Sequence, residues 1–159
     1  MFFEHKWIYR RIKEQVPEDP DFLVPIGKAD VKREGDDVSV ITYGAMVHKA
    51  LEAAEDLEEQ GVSVEVVDLR TITPLDTETI LESVTKTSRA LVLYESLKFL
   101  GVGAEVSAVI AEEAFESLDA PVMRLAPPNT PVPFSPPLED AFIPQVEDIV
   151  DAVNKLAKW

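Results

Sequence analysis

Cysteine is absent from this chain, which excludes a disulfide framework and any thiolate nucleophile or thiolate-bound metal. Histidine is scarce. His5 and His48 are the only two, and neither has an acid and a nucleophile spaced for a triad. No metal-ligand spacing, P-loop or nucleophile elbow occurs either. Positive charge is also short: 15 Lys and Arg face 30 Asp and Glu, a formal net charge of −15. Nucleic acid is thereby excluded, because phosphate binding needs a basic face. The acidity leaves two readings, a basic protein partner drawn in by the field, or plain solubility in a salt-rich cytoplasm. No apolar run reaches the ~18–20 residues of a membrane span. Met1-Phe2-Phe3 is too short, and too soon followed by charge, for a signal peptide. With no cysteine and no membrane segment, the expected location is the cytoplasm.

What is present is enough for one domain with a real core: 159 residues, 46% of them apolar. Residues 1–25 stand apart. Phe2, Phe3, Trp7 and Tyr9 crowd the first ten positions without helical or strand period, and a proline-broken polar link follows. Such a segment cannot bury its aromatics by itself, so it reads as a connector to something outside the domain of residues 26–159.

The domain's signature is the stretch Val38 to Asp76. An apolar strand enters Tyr43-Gly44, a helix with its alanines on one face runs from Ala45 to Gln60, Gly61 stops it, and a second apolar strand covers Val62 to Leu69. This strand–helix–strand crossover forces a parallel pair. Before it, Lys28 to Glu34 alternates and meets Gly35-Asp36-Asp37, which predicts a short hairpin with the first strand antiparallel to the strands after it. After it come a helix over Thr77 to Thr87 capped by Asp76, a strand over Arg89 to Tyr94, a helix from Ala104 to about Leu118, and a short strand over Pro121 to Leu125. A proline-rich loop from Ala126 to Pro137 and a last helix from about Gln145 to Lys158 close the chain. The order β β α β α β α β α predicts an α/β fold in three layers, with helices on both faces of a five-stranded mixed sheet whose first strand is antiparallel.

In such sheets ligands bind beyond the carboxyl ends of the strands. Three ends carry candidate groups: Tyr43 and Gly44, where helix N–H groups could hold an anion; Asp68 and Arg70, expected to pair with each other or with local backbone; and Glu95. Gly101 and Gly103 precede a helix but lack the full G-x-G-x-x-G. His48 reads as a solvated helix histidine and His5 as an interface contact. From its residues the chain shows no catalytic, cofactor-binding or metal site. It allows a free-standing anion- or metabolite-binding module as one reading. Between Ala111 and Asp151 nine acids, Glu116 and Asp119 among them, face one base, Arg124. That acidic face supports a basic partner.

Several segments together resemble one family. FFEHKWIYR, VPIGKADVKREGDDVSVITYGAMV, EVVDLRTITPLD, GVGAEVSAVIAEEAF, LDAPVMRL and LEDAFIPQVEDIVDAV are similar to the C-terminal domain of the β subunit of thiamine-diphosphate-dependent 2-oxo acid dehydrogenases, a domain shared in wider form with transketolases. Pyruvate and branched-chain 2-oxo acid enzymes are the main members. The resemblance implies the mixed sheet just described. It implies that residues 1–25 continue from a pyrimidine-binding half, and that thiamine diphosphate and magnesium belong to the parent complex rather than to this chain. It implies assembly with an α subunit and a second β subunit in an α2β2 heterotetramer, and docking to the basic peripheral subunit-binding domain of the acyltransferase core. Asp119 and the terminal carboxylate of Trp159 match the two ends of that docking clamp, with Glu116 beside them. One departure is Pro127-Pro128-Asn129-Thr130, where many members carry Ala-Pro-Asp-Thr. On this reading the chain is inert alone, and its exposed aromatics predict self-association.

Overall fold

A computed structural model describes all of residues 1–159. Its centre is a five-stranded sheet formed by β1 (Asp30–Arg33), β2 (Val38–Thr42), β3 (Val64–Asp68), β4 (Ala90–Leu93) and β5 (Met123–Leu125). The spatial order is β1-β3-β2-β4-β5. β2, β3, β4 and β5 are parallel, and β1 alone runs antiparallel, against β3. Val38 faces Val64 and Thr42 faces Asp68 in a regular register. Every residue of β2 is buried, as a central parallel strand covered on both faces requires.

The expected hairpin does not form. β1 and β2 are consecutive in sequence, yet β3 lies between them. Both edges of β2 are claimed by parallel neighbours that return through helical crossovers. β1 is left with the outer edge of β3. Gly35 makes the passage possible: a Cβ there would fall 2.2 Å from the Val64 carbonyl carbon, so the chain crosses beneath β3 at a distance only glycine allows. Asp37 then locks the crossing, its N–H donating to Ser63 O at 2.8 Å and its carboxylate accepting from Ser63 N at 2.7 Å.

The pleat sorts side chains between two cores. Val38 and Val40 pack with α1 (Ala45–Glu59) and α5 (Val146–Leu156), where Ala50, Ala53, Ala54, Leu57, Ile149, Val153 and Leu156 are buried. Ile41, Val67, Val92 and Tyr94 pack with α2 (Thr77–Thr87) and α3 (Val102–Glu113) through Ile80, Val84, Val106 and Ile110. The alanines of α1 let that helix lie close on the sheet. Asp76 caps α2 by accepting from Thr79 N, as its position predicts.

α3 begins at Val102, ahead of the Ala104 that the sequence predicts, and its far end differs as well. α3 ends at Glu113 and passes into a 3-10 turn over Phe115–Ser117 instead of continuing to Leu118. A short helix, α4 (Pro136–Phe142), emerges from the end of the proline-rich loop. Its prolines occupy the first helical positions, where a missing N–H costs nothing. α5 opens on a reciprocal cap between Gln145 and Asp148.

Candidate functional site

At the carboxyl ends of β2 and β4 the fold brings the neighbours Tyr43 and Gly44 together with Glu95, which is far from them in sequence. Gly44 takes φ +64° and turns β2 directly into α1. The connector closes over this turn. His5 Cδ2 lies 3.7 Å from where a Cβ on Gly44 would stand, and His5 Nε2 sits 2.9 Å from Glu95 Oε2. Trp7 meets the same imidazole edge-on. His5 Nδ1 and Thr42 Oγ1 are buried here without a partner. Burial pushes the Tyr43 phenol above its ordinary range, with Ser96 opposing through a hydrogen bond. An anion above the N-terminus of α1 would therefore meet the Glu95 carboxylate and displace His5.

Asp68 and Arg70 share one local bond, Arg70 N donating to Asp68 Oδ1 at 3.1 Å. The guanidinium itself turns away and reaches Asp30 Oδ2 at 2.5 Å, across the antiparallel edge. Arg70 holds φ +53° to do so. Burial raises the Asp68 carboxyl above its ordinary value, against the bond from Arg70 N and the nearby cations. This cluster ties the edge strand to the loop after β3.

Gly101 and Gly103 serve packing. A Cβ on Gly103 would fall 2.0 Å from Tyr94 Cε1, and one on Gly101 2.6 Å from Tyr94 Cε2. Their absent side chains seat the buried Tyr94 ring. His48 is half-exposed on α1.

The amino end of β4 carries the acidic candidates. Asp119 is anchored by its N–H to Ser88 O at 2.8 Å, and its exposed carboxylate lies 3.7 Å from the Arg89 guanidinium. Glu116 stands exposed on the preceding 3-10 turn. Ala120 belongs to the same core as Leu156, which draws the last turn of α5 toward this end of the sheet. Trp159 follows that turn, 66% exposed.

Lys49 escaped the sequence reading. From α1 it donates to Pro144 O at 2.9 Å and Gln145 Oε1 at 2.8 Å, which pins the start of α5. Burial pulls its ammonium below the ordinary lysine range, against the attraction of Glu95 and Asp140. Nothing in the sequence marked it, since one lysine among helix acids looks like any solvated side chain.

These groups do not fit a diphosphate with its metal. No three His, Asp or Glu side chains converge to hold an ion, and the helix end that could face phosphate is guarded by Glu95.

In sequence the chain is 48% identical over its full length to the pyruvate dehydrogenase E1 component subunit beta of Bacillus subtilis, covering 48% of that protein. It is 50% identical to the 2-oxoisovalerate dehydrogenase subunit beta of the same organism, covering 49%. The chain thus spans about half the length of the curated relatives it matches. Among solved structures, a split-gene transketolase in an inactive β4 tetramer matches 90% of this chain and 46% of its own, with TM-score 0.75 and 32% identity. A 2-oxoglutarate:ferredoxin oxidoreductase from Magnetococcus marinus shares the fold alone, at TM-score 0.54 and 15% identity over 82% of this chain. Residues 27–149 match the sequence profile described as Transketolase, C-terminal domain, and with that match over most of its length the chain belongs to this family.

Proposed function

We propose that this chain acts as the C-terminal domain of the β subunit of a 2-oxo acid dehydrogenase for pyruvate or branched-chain substrates, serving assembly and docking in the cytoplasm rather than chemistry of its own. The observation that carries the reading is the alignment of the entire chain with one half of two such β subunits at 48–50% identity. The connector supports it. Phe2 and Phe3 are 89% and 82% exposed and have no cover within the chain, a posture suited to burial against a pyrimidine-binding half, an α subunit or a second β subunit of an α2β2 assembly. Thiamine diphosphate and magnesium are then held by those other parts.

On this proposal Asp119, Glu116 and the carboxylate of Trp159 receive the basic peripheral subunit-binding domain of the acyltransferase. Arg89 orients Asp119 from one side and leaves the other side of the carboxylate open to solvent. Affinity for that domain should fall as salt rises, and Asp119→Lys should weaken it by reversing one charge of the clamp. Salt-independent binding would count against the clamp.

The decisive experiment supplies the chain with its α subunit and the pyrimidine-binding half. Co-elution and restored 2-oxo acid turnover are expected, with no turnover from the chain alone. Thiamine-dependent turnover by the isolated 159 residues would overturn the proposal. The alternative, a free-standing metabolite module at Tyr43, Gly44 and Glu95, predicts a saturable rise in melting temperature with a nucleotide or 2-oxo acid. The His5–Glu95 contact over Gly44 favours assembly over that alternative.

A further inference from the structure

Lys49 has a setting that no other lysine of the chain shares. Lys28, Lys32 and Lys86 sit in ion pairs with carboxylates. Lys6, Lys13, Lys98, Lys155 and Lys158 stand exposed to water. Lys49 is half-buried and belongs to none of the molecule's ion pairs. Its two hydrogen bonds both end on neutral oxygens, Pro144 O at 2.9 Å and Gln145 Oε1 at 2.8 Å. Two acceptors satisfy the two hydrogens of a neutral amine and leave its lone pair free. An ammonium keeps a third N–H with no partner in the protein. The contacts therefore suit the nucleophilic form.

The side chain borders a cavity of about 460 Å³ between Trp7, Arg11 and Ile12 and the facing surfaces of α1 and α5. Trp7, Ile12, Ala45 and Val146 give this space apolar walls. Its charges are mixed. Arg11 and His48 line it, and so do Glu52, Asp56 and Glu147. Glu95, Asp140 and Asp148 act on Lys49 from nearby elements. These acids repel an anionic reagent, whereas an uncharged one with an apolar body meets no such opposition. They also favour the ammonium, but burial outweighs them and holds it below the ordinary lysine range.

We infer that Lys49 is a covalent modification site, taking a small uncharged acyl group from an acyl thioester. The Nζ lone pair attacks the thioester carbonyl carbon. The N–C bond forms, and the C–S bond breaks with its electron pair leaving on sulfur. The thiolate takes up the proton that Nζ sheds, so the products are an amide and a thiol. The amide keeps one N–H where the amine had two. The buried Pro144 carbonyl and Gln145 Oε1 then compete for a single donor. Acylation thereby loosens the pin that fixes the start of α5. The inference does not depend on the docking role proposed for Asp119 and Trp159.

Treatment of the whole chain with N,S-diacetylcysteamine, an uncharged acetyl thioester, tests it, with acetyl-lysine mapped by peptide mass spectrometry at early times. Lys49 should be acetylated about fivefold faster than any other lysine, and denaturation in urea should abolish that preference. Acetyl phosphate, an anionic donor, should show no preference for Lys49. Glu52→Gln with Glu147→Gln, both at exposed helix positions, should narrow the gap between the two donors. In the acetylated chain, amide hydrogen exchange over residues 146–149 should quicken about threefold while that of α2 is unchanged. Acetylation of Lys49 no faster than of the exposed lysines, a preference that survives urea, an equal preference with acetyl phosphate, or unaltered exchange at the start of α5 would each overturn the inference.

Discussion

Lys86→Met should cost this domain far more than a surface lysine usually does. Lys86 closes the amino end of the sheet: its ammonium lies 2.5 Å from Glu65 Oε2, 2.6 Å from Glu34 Oε2 and 3.9 Å from Asp36 Oδ1. Glu65 is 2% exposed, near the amino end of β3. Its other donor in reach is Gly35 N, at 3.4 Å. Without the ammonium a buried carboxylate stays behind almost unpaired. Breaking one side of a buried pair costs about 3–5 kcal/mol. The Lys86 side chain is 38% exposed, so water reaches the site and the lower end applies. A loss of about 3 kcal/mol lowers the melting temperature by roughly 6–12 °C for a domain of this size. Replacing both partners, Glu65→Leu with Lys86→Met, should recover most of the loss, because no charge is then left in the core.

The pH dependence comes from the signs of two shifts. Hydrogen bonds donated first to Glu34 and then to Glu65 raise the ammonium above its ordinary value. Its contribution is therefore fully present below about pH 10 and fades only as pH rises through the raised value. Glu34 is held below the ordinary carboxylate range, chiefly by its hydrogen bond from Lys86. Its share is present above about pH 4.3 and fades as pH falls through the lowered value. Between about pH 6 and 9 the gap between wild type and Lys86→Met should be flat. Urea denaturation at unchanged m reads it directly. A loss under about 1 kcal/mol, or a double variant no better than the single, would refute the reasoning.

Three further outcomes are expected. Asp76→Ala removes the cap of α2 and the acceptor of Ala29 N, at about 1–2 kcal/mol by urea denaturation. Burial pushes the Asp76 carboxyl up, yet the bonds from Ala29 and Thr79 outweigh it and leave it below its ordinary value, so the difference should shrink as pH falls toward the acid range. His5→Ala removes the one side-chain bond from residues 1–25 to the rest of the chain; trypsin should cut faster after Arg10 and Arg11 while core stability moves by less than about 0.5 kcal/mol. Because Phe2, Phe3, Trp7 and Tyr9 are exposed, sedimentation should show concentration-dependent association, abolished when Phe2 and Phe3 become serine.

Much of the fold was legible. The sequence places α1 and α2 to within a residue, because Gly44, Gly61 and Asp76 punctuate them through local geometry that needs no distant partner. The candidate sites were legible only as residue types. The strand ends mark Tyr43, Gly44 and Glu95 separately, but that His5 spans them depends on how residues 1–25 lie, which no period announces. The sequence pairs Arg70 with Asp68 or with local backbone, and its N–H does reach Asp68, whereas the strand pairing sets its guanidinium against Asp30.

By itself, then, the sequence determined the kinds of elements, the crossovers that make neighbouring strands parallel and the acidic net charge. These arise from side-chain period, backbone propensity and charge, which act over a few residues or by simple sum. Tertiary structure alone decided which strand β1 would pair with, that His5 would close over Gly44, and that Lys49 of α1 would pin the start of α5. Those outcomes depend on which edges and faces remain free once the central strands have packed, a competition between distant segments that no local pattern encodes.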